Sequence, residues 1–451
     1  MIDFRYSHEI AHLDQVLYRL KVQAASRGFA ERAVVRGERG CGKTEMIQKY
    51  VARTSCAYYI SFDTDERSIM TNVCHTFFGD TIYDNWKEVF TALNSRFSTS
   101  WAFIFLDHGF EEFEDSRPEF AEAEKILRGN SHILTAVVIN ESCPVETMLS
   151  FYGNEVDVIP RTLQHYCKTL TGCSKEGILR LFALTGGKSA AVYDLDANAS
   201  YDDNLRYLLS RHSAYSKYML CLMRECFRTP ESYYPILYSI ARGKKRLSEI
   251  AGEIHFPYNK TDKYLKALIK AGFVKTVPDE KKNCSTYSLT GSYFRSWMLY
   301  IYPNRDLQIC DPEKIVRLVN ENIDADLTLD CFREAAFRHA INTPKFADRL
   351  DDISKSMITK NLHCRLATGK DITYTVIDNG FNEGALLIVP EDLNARFEEI
   401  DIWAIKRFME KEDIWNKMVL IFSLHRFSDW CVHFFHVHDD WFGITVERMK
   451  H

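Results

Sequence analysis

A glycine-rich turn near the start of the chain constrains its fold more than any other segment. Residues 37–44, GERGCGKT, have the spacing G-x-x-x-x-G-K-T. In this pattern the glycines let backbone N–H groups converge on phosphate oxygens at the start of a helix. The turn follows a short apolar segment at 32–37 and precedes a helical pattern at 43–53. Strand, phosphate-binding turn and helix in this order indicate an α/β domain.

Further apolar segments predict the rest of the sheet. They are short, nearly continuous and separated by helical segments, and they occupy residues 56–62, 101–108 and 133–140. An amphipathic helix is expected at 8–27. Apolar strands that alternate with helices are typical of a parallel sheet covered by helices on both faces.

The turn and its flanks are the predicted nucleotide-binding residues. Lys43 is expected to neutralise the β- and γ-phosphates, and Thr44 is expected to bind Mg²⁺. The full set predicted to line the phosphates is Gly37, Glu38, Arg39, Gly40, Cys41, Gly42, Lys43, Thr44 and Glu45. A chance match of the motif is improbable because the turn lies between a strand and a helix.

A second carboxylate must reach the same Mg²⁺ from a neighbouring strand, and Asp107 ends the apolar segment FIFL. Many ATPases place a glutamate next, which orients the attacking water. Here the next residue is His108. Histidine side chains in general can take up a proton near neutral pH, but an imidazole differs from a carboxylate in geometry. The sequence therefore predicts nucleotide binding with slow hydrolysis.

Other polar residues near this position leave alternatives open. Glu111 and Glu112 lie within one turn of His108, although a solvated acidic face is about twice as common an explanation. Asn140 ends the fourth apolar segment, where it can contact the γ-phosphate or the water. The competing interpretation, with even odds, is an asparagine that caps the next turn. We take Asp107, His108 and Asn140 as the candidate catalytic residues.

Length and charge limit the class of protein. A chain of 451 residues suggests about three domains. The net charge of −5 excludes a polycation that coats nucleic acid, so any nucleic-acid surface must be local. Thirteen cysteines without CxxC pairs, together with the lack of a signal peptide or an apolar span of about 18 residues, predict a soluble cytoplasmic protein with no membrane contact.

The second half of the chain contains two further patterns. Residues 174–228 are predicted to be helical. Residues 231–278 give three helices with short turns, followed by two strands around the charged turn 279–283, which is the element order of a winged helix–turn–helix. From about 311 a helical stretch leads into the apolar segments DITYTVID, GALLIVP and MVLIFSL, which predict a second α/β region.

Several long segments together resemble the archaeal-type P-loop ATPase family, within the AAA+/STAND group. They are GERGCGKT, the aspartate Asp107, LTGGKSAAVYDLD at 184–196, ILYSIARGKKRLSEIA, YLKALIKAGFVKTVP and YSLTGSYFRSWMLYIYPN. The departures are His108, Ser189 where the family has a proline near the adenine, and an N-terminal FRYSHE that resembles the family's start only faintly. The resemblance implies ATP and Mg²⁺ as ligands.

The resemblance also implies a domain order. It predicts a P-loop ATPase core at 1–165, a helical lid at 166–230, a winged helix at 231–304 and a C-terminal restriction-endonuclease-like domain at 305–451. The fold class is therefore expected to be α/β, with a P-loop parallel sheet and a second α/β domain.

The predicted winged helix carries a row of lysines. Eleven Lys or Arg stand against five Asp or Glu between 242 and 282, although the whole chain is acidic. Lys260, Lys263, Lys266 and Lys270 are spaced at three or four, which places them on one helix face. Such a face is suited to phosphate contacts with duplex DNA, and Asn259 and Thr261 offer hydrogen bonds for base reading. The alternative is a solvated face on a module that packs within the protein.

The C-terminal domain lacks part of a nuclease site. The resemblance implies an early Glu, an Asp at a strand start and a Glu-x-Lys on the next strand. Glu334 and Asp371 match the first two, but LLIVPED at 386–392 has no Glu-x-Lys, and Glu391 does not replace the lysine. We therefore expect no nuclease activity. A metal site at His436 and His438, on one face of a strand, is a weaker hypothesis than half-buried packing.

These patterns favour an ATP-binding switch with weak or slow hydrolysis, which contacts DNA through the basic winged helix. One alternative is an active ATPase that drives a conformational change on DNA or a protein partner. Another is a DNA-binding regulator whose P-loop is mainly structural. The expected partners are ATP, duplex DNA, and a protein partner or a second copy of the chain.

Overall fold

The computed structural model describes residues 7–29, 31–140, 154–158, 160–279, 284–347, 357–378, 384–414 and 417–449. The chain forms two compact units, Met1–Pro160 and Arg161–His451. Among the described residues, no helix combines the length and apolar content needed to cross a membrane. The finer division of the second unit into lid, winged helix and C-terminal domain stays a prediction.

The first unit is a five-stranded sheet with helices. Its elements are α1 (Ser7–Arg27), β1 (Ala33–Arg36), α2 (Lys43–Arg53), β2 (Ala57–Ser61), α3 (Glu66–Phe78), α4 (Trp86–Arg96), β3 (Ala102–Asp107), α5 (Phe110–Asp115), α6 (Pro118–Arg128), β4 (Ile133–Ile139) and β5 (Glu155–Asp157). The strand order is β2-β3-β4-β1-β5, and every described pairing is parallel. The predicted parallel sheet is confirmed.

Both faces of this sheet are covered by apolar side chains. On one face, Leu13 of α1 and Met46 of α2 belong to the same buried cluster as Phe105 of β3. On the other, Val73 of α3 packs in a cluster with Ile104. Because successive residues of a strand point to opposite faces, a continuous apolar strand such as β3 supplies both clusters at once.

The second unit begins with helices, as the sequence predicts for 174–228. They are α7 (Leu163–Thr169), α8 (Lys175–Thr185), α9 (Ser189–Val192), α10 (Tyr201–Leu209) and α11 (Ala214–Cys226). One buried apolar cluster extends from Leu163 of α7 through Trp297 to Leu420 near the C-terminal end. The helices and the C-terminal sheet of this unit therefore share a core.

Three helices and a hairpin follow, in the predicted order. They are α12 (Tyr234–Ala241), α13 (Leu247–Ile254), α14 (Tyr258–Lys270), β6 (Val274–Asp279) and β7 (Cys284–Leu289). The two strands are antiparallel, with Val274 opposite Leu289. Leu265 and Leu268 of α14 are fully buried, whereas the lysines of the same helix are exposed, so the predicted amphipathic arrangement of α14 is confirmed.

The remaining elements are α15 (Ser292–Ser296), α16 (Leu307–Cys310), α17 (Pro312–Ile323), α18 (Leu329–Asn342), α19 (Pro344–Ala347), β8 (Met357–Arg365), β9 (Asp371–Asp378), β10 (Gly384–Pro390), α20 (Glu399–Lys411), β11 (Met418–Ser423), α21 (Asp429–Val437) and β12 (Trp441–Thr445). They include a mixed sheet of order β12-β11-β10-β9-β8. β8 and β9 pair with their neighbours antiparallel, and β10 to β12 are parallel. A second α/β region is confirmed.

The prediction of a strand at the segment HFFHVH is wrong. Residues 429–437 form α21, whose first turn is capped by the side chain of Ser428 accepting from the Cys431 backbone N–H. His436 is therefore helical, and His438 lies just beyond the helix, where its ring stacks on Phe434 at 3.9 Å between ring centroids. The cap and the packing of Phe434 against the sheet favour a helix over the alternation of apolar and polar residues.

Candidate nucleotide-binding site

The predicted phosphate-binding turn connects β1 to α2, and β1 lies between β4 and β5. Gly40 and Gly42 have φ values of 77° and 100°, in the left-handed region that favours glycine. A Cβ on Gly37 would lie 2.2 Å from the Val158 carbonyl oxygen, so only glycine fits there. The glycine spacing of the motif thus matches three backbone requirements of this turn. The N-terminal unit has a P-loop fold.

Lys43 spans the turn from the first position of α2. Its side chain is 6% exposed, and Nζ donates to the carbonyl oxygens of Gly37 at 2.6 Å and Glu38 at 3.0 Å. The residue that caps the helix is Gly42, which has no side chain to accept from the first turn, so the N–H groups there suit an external acceptor. The Lys43 ammonium and the N–H groups at the start of α2 lie at the positive end of the helix, where both can bind the same anion. This arrangement fits a phosphate group.

Thr44 and Asp107 are brought together, as predicted for the Mg²⁺ ligands. The Thr44 hydroxyl donates to Asp107 Oδ2 at 2.7 Å. Asp107 ends β3 and is 4% exposed, and the His108 backbone N–H donates to its Oδ1 at 2.7 Å. Hydroxyl and carboxylate oxygens are the hard ligands that Mg²⁺ prefers. The donor set therefore fits the metal.

Tyr59 is a site residue that the sequence reasoning missed. Its hydroxyl donates to Asp107 Oδ2 at 3.2 Å, the same oxygen that Thr44 contacts. Burial and the negative charge of Asp107 raise the pKa of the Tyr59 phenol well above its usual value, so the hydroxyl remains a donor at neutral pH. The sequence predicts the strand β2, in which every second residue faces α2. It does not predict the register of β2 against β3, and that register places Tyr59 beside Asp107.

His108 lies beside the carboxylate without bonding to it through its ring. Nε2 is 3.7 Å from Asp107 Oδ2, beyond hydrogen-bond distance, and the side chain is 47% exposed. The residue has φ 52° and is followed by Gly109 at φ 86°. A left-handed conformation is uncommon for a residue with a Cβ. The imidazole is therefore held at the edge of the site, where the sequence predicted a candidate for water activation.

The other residues predicted near the site are Asn140 and the acidic residues of α5. Asn140 follows β4 and is exposed, so its part in the site stays a prediction. The side chains of Glu111 and Glu112 lie outside the described part of the chain. Glu114, on the same helix α5, is paired with Arg32 through two hydrogen bonds of 3.0 and 2.7 Å. At least this carboxylate of the acidic helix is structural.

The remaining residues of the turn have mixed environments. Cys41 is buried, and its N–H donates to the Glu38 carbonyl oxygen at 3.3 Å. Glu45 pairs with Lys49 one helical turn later, at 2.6 Å. Arg39 is half-buried. The predicted phosphate contacts therefore depend on the backbone of this turn more than on these side chains.

A cavity of about 960 Å³ also lies in the first unit, but away from these residues. It is lined by α3, the segment 82–87 and α6, with Met70, Tyr83 and Ile126 among its apolar residues. None of the predicted nucleotide-binding residues lines it, so it does not contribute to the site.

The lysines of α14 differ in their surroundings. Lys260 lies over the Phe256 ring at 4.2 Å, and Lys266 pairs with Asp262 at 2.7 Å. Lys263, Lys270 and Asn259 are exposed. Thr261, expected to read bases, is fully buried and donates to the Pro257 carbonyl oxygen at 3.2 Å, so that expectation is wrong. A threonine in the first turn bonds back to its own helix.

The three carboxylates of the predicted endonuclease-like site each have a different partner. Glu334 pairs with Arg338 at 2.8 Å, and Asp371 lies 3.8 Å from Arg365. Glu391 is bonded to His363 and accepts from the Thr373 hydroxyl at 3.2 Å. Across the described ranges, no group of three or more His, Cys, Asp or Glu is arranged to hold a metal ion, and this includes His436 and His438.

Comparison with known proteins identifies no family for this chain. No family model and no curated protein matches the chain. Among solved structures, the chain is similar to Aeropyrum pernix ORC1 in complex with DNA, with 18% identity, 66% of this chain and 93% of that one covered, and a TM-score of 0.32. For the Holliday junction branch migration motor RuvB of Thermotoga maritima, the identity is 13%, the match covers 62% of this chain and 91% of that one, and the TM-score is 0.24. For Caenorhabditis elegans PCH-2, the identity is 12%, the match covers 57% of this chain and 67% of that one, and the TM-score is 0.23. Similarity at this level does not establish a family for this chain.

Proposed function

We propose that this protein binds ATP together with Mg²⁺ and holds it as a switch, with slow hydrolysis. The observation that carries the proposal is the Thr44–Asp107 hydrogen bond beside the turn that Lys43 spans. Three groups suited to phosphate and metal binding converge there, Lys43 and Thr44 from the start of α2 and Asp107 from the end of β3. The choice of ATP over another nucleotide rests on the family resemblance of the sequence.

Each residue has a defined part in this proposal. The N–H groups at the start of α2 and the Lys43 ammonium bind the phosphates. Thr44 and Asp107 hold Mg²⁺, which would supply charge neutralisation on the phosphate oxygens when bound. Asp107 is fixed by hydrogen bonds at both of its oxygens before any ligand binds. The site is thus preorganised for binding.

Slow hydrolysis follows from the residue after Asp107. His108 places an exposed imidazole where many ATPases have a carboxylate that orients water, and a neutral imidazole accepts a proton at only one nitrogen. Its left-handed backbone directs the ring past the carboxylate at 3.7 Å. The alternative of an active ATPase requires another residue to align the water.

The test is equilibrium binding of ATP combined with single-turnover hydrolysis of labelled ATP under excess protein. We expect tight binding in Mg²⁺ and product only over hours. Lys43→Ala should abolish binding. Arg53→Ala is the matched control, because it removes an exposed cation from the same helix about 15 Å away. Product formed faster than about 1 per second, near the low end of enzyme turnover, would instead support the active ATPase.

A second function, contact with duplex DNA, is favoured by one observation. The lysines of α14 stand on its exposed face, while Leu265 and Leu268 fill the core behind it. The three helices and hairpin have the element order of a winged helix, the module for which the sequence predicts DNA contact. The test is the salt dependence of duplex binding with and without these lysines.

A further inference from the structure

We propose that Tyr59 is a positioning residue that holds Asp107 in the orientation required for Mg²⁺. The inference rests on the proposed nucleotide binding and extends it to a residue outside the motif. The Tyr59 hydroxyl and the Thr44 hydroxyl both donate to Asp107 Oδ2, at 3.2 and 2.7 Å.

The geometry of two neighbouring strands explains why a tyrosine occupies this position. Tyr59 of β2 lies directly opposite Phe105 of β3, and Asp107 is two residues further along β3 on the same sheet face. Two residues of a parallel strand span about 6.6 Å. A tyrosine that leans along its strand covers this distance, so its hydroxyl reaches the level of Asp107. A phenylalanine would fill the same space and leave the carboxylate without this donor.

The three hydrogen bonds on Asp107 come from different parts of the fold. Oδ1 accepts from the backbone N–H of His108, the next residue. Oδ2 accepts from Thr44, which belongs to the P-loop and is itself a proposed metal ligand, and from Tyr59, which belongs to the sheet. Tyr59 is therefore the side chain that fixes Oδ2 independently of the segment that receives the ligand. Carboxylates that ligate metals are commonly held by such outer hydrogen bonds.

The protonation state of Tyr59 suits this part. Burial, followed by the negative charge of Asp107, raises the pKa of the Tyr59 phenol above its ordinary value. The hydroxyl can then only stabilise the carboxylate as a donor. Hydrogen bonds to charged groups contribute more to stability than those between neutral groups.

The experiment measures the affinity of the full-length chain for ATP by calorimetry, once in saturating Mg²⁺ and once in EDTA. The dissociation constant in EDTA divided by the dissociation constant in Mg²⁺ gives a ratio that reports how much the metal improves ATP binding. We expect Tyr59→Phe to reduce this ratio about tenfold, the low end for loss of a hydrogen bond behind a metal ligand. The affinity in EDTA should stay within about twofold, because Tyr59 has no part in phosphate binding.

Two tyrosines provide matched controls. Tyr58→Phe removes a hydroxyl one residue earlier on β2, where the ring faces the opposite side of the sheet and lies 4.6 Å from Phe77 between centroids. Tyr50→Phe removes a comparable hydrogen bond to a carboxylate, the one to Asp14 at 3.0 Å, on α2. Both variants should keep the wild-type ratio. A loss of stability alone would appear equally in Tyr50→Phe.

A double-mutant comparison separates positioning from general loosening of the site. In Asp107→Asn, adding Tyr59→Phe should not lower the ratio further, because the oxygen that Tyr59 holds no longer carries the charge. Equal weakening of both affinities by Tyr59→Phe, or an unchanged ratio, would overturn the assignment. Failure of the proposed function would look different, because the wild type itself would then show no gain from Mg²⁺ and Lys43→Ala would bind as well as the wild type.

Discussion

The hydroxyl of Thr44 and the carboxylate of Asp107 are joined by a 2.7 Å hydrogen bond, although 63 positions of sequence separate them. β1 and β3 are not adjacent, since β4 lies between them in the sheet. The contact forms because the carboxyl ends of parallel strands meet at one edge of the sheet, which is where ligands bind in open α/β folds. It places a helix N-terminus and a strand end at the same point.

Replacement of Thr44 by valine should remove the benefit of Mg²⁺. Valine keeps the β-branched shape at the start of α2 but has no oxygen for the metal or for Asp107. We expect the affinity for ATP in Mg²⁺ to fall at least about tenfold. Calorimetry with Mg²⁺ and with EDTA measures this. Thr44→Ser, which retains the hydroxyl, is the control, and a serine variant as weak as the valine variant would contradict the proposed ligand.

Replacement of His108 by glutamate should accelerate hydrolysis. A carboxylate at this position can orient water, and a positioned general base contributes roughly 10²–10⁴-fold to a rate. We expect a rise of at least about tenfold in single-turnover product formation, with ATP affinity little changed. Residue 108 has φ 52°, a backbone conformation that histidine adopts more readily than glutamate, so the control must carry the same backbone cost.

The matched control for this variant is His108→Gln, which has the length of glutamate without its charge. It should remain as slow as the wild type. Equal rates for the glutamine and glutamate variants would show that the imidazole is inhibitory through its shape, and that the missing carboxylate does not explain slow turnover.

The elements that the sequence predicts well are those specified locally. The motif and the helical pattern place α2 at Lys43–Arg53, and segments rich in apolar and β-branched residues place β9 and β10 at Asp371–Asp378 and Gly384–Pro390, all with the observed bounds. Strand β5 could not be predicted in this way. Its three residues include Glu155 and Asp157, which pair with the buried Arg36 of β1 at 2.5 and 3.1 Å. A strand held by ion pairs to its neighbour has no apolar signature.

The site shows the same limit. Lys43, Thr44 and Asp107 follow from motif spacing, because each is defined by its own segment. Tyr59 does not, because its role depends on the register of β2 against β3, which brings it opposite Phe105. Strand β8 was likewise missed, since its mostly polar sequence pairs at the sheet edge with β9. Contacts between segments decide what local patterns leave open.

Acid should weaken the ion pair between Arg32 and Glu114 and thereby destabilise the first unit. The hydrogen bonds from Arg32 lower the pKa of Glu114 below its ordinary value of 4.5, so the stabilisation is complete above that pH. It is lost as pH falls through the lowered pKa of the folded state. Glu114→Gln should cost about 1.5 kcal/mol at neutral pH, and the difference from wild type should shrink below pH 4.5.

Urea denaturation between acid and neutral pH measures this difference. Glu119→Gln is the control, because Glu119 is exposed on α6 and its loss should change stability little at any pH. A Glu114→Gln difference that stays constant down to the lowest pH would show that the lost stability does not arise from the charge of Glu114.

Removal of the α14 lysines should reduce both duplex affinity and its dependence on salt. Each phosphate contact contributes about −0.9 to the slope of log affinity against log salt. Replacement of Lys260, Lys263, Lys266 and Lys270 by alanine should therefore make the slope less negative by about 2–4. Among single variants, Lys266→Ala should have the smallest effect, because Lys266 is already paired with Asp262. Fluorescence anisotropy of a labelled duplex at several salt concentrations provides the measurement.

The matched control removes the same charge from exposed lysines of other helices. These are Lys87, Lys125, Lys168 and Lys217. If α14 contacts phosphates, the control variant should keep most of the wild-type slope, since charge outside the interface acts only through weak, screened attraction. Equal losses in the two variants would assign DNA binding to net charge alone. If the slope of log affinity against log salt is unchanged in the α14 variant, its lysines do not contact DNA and form only a solvated helix face. The proposed function would then rest on the P-loop site alone.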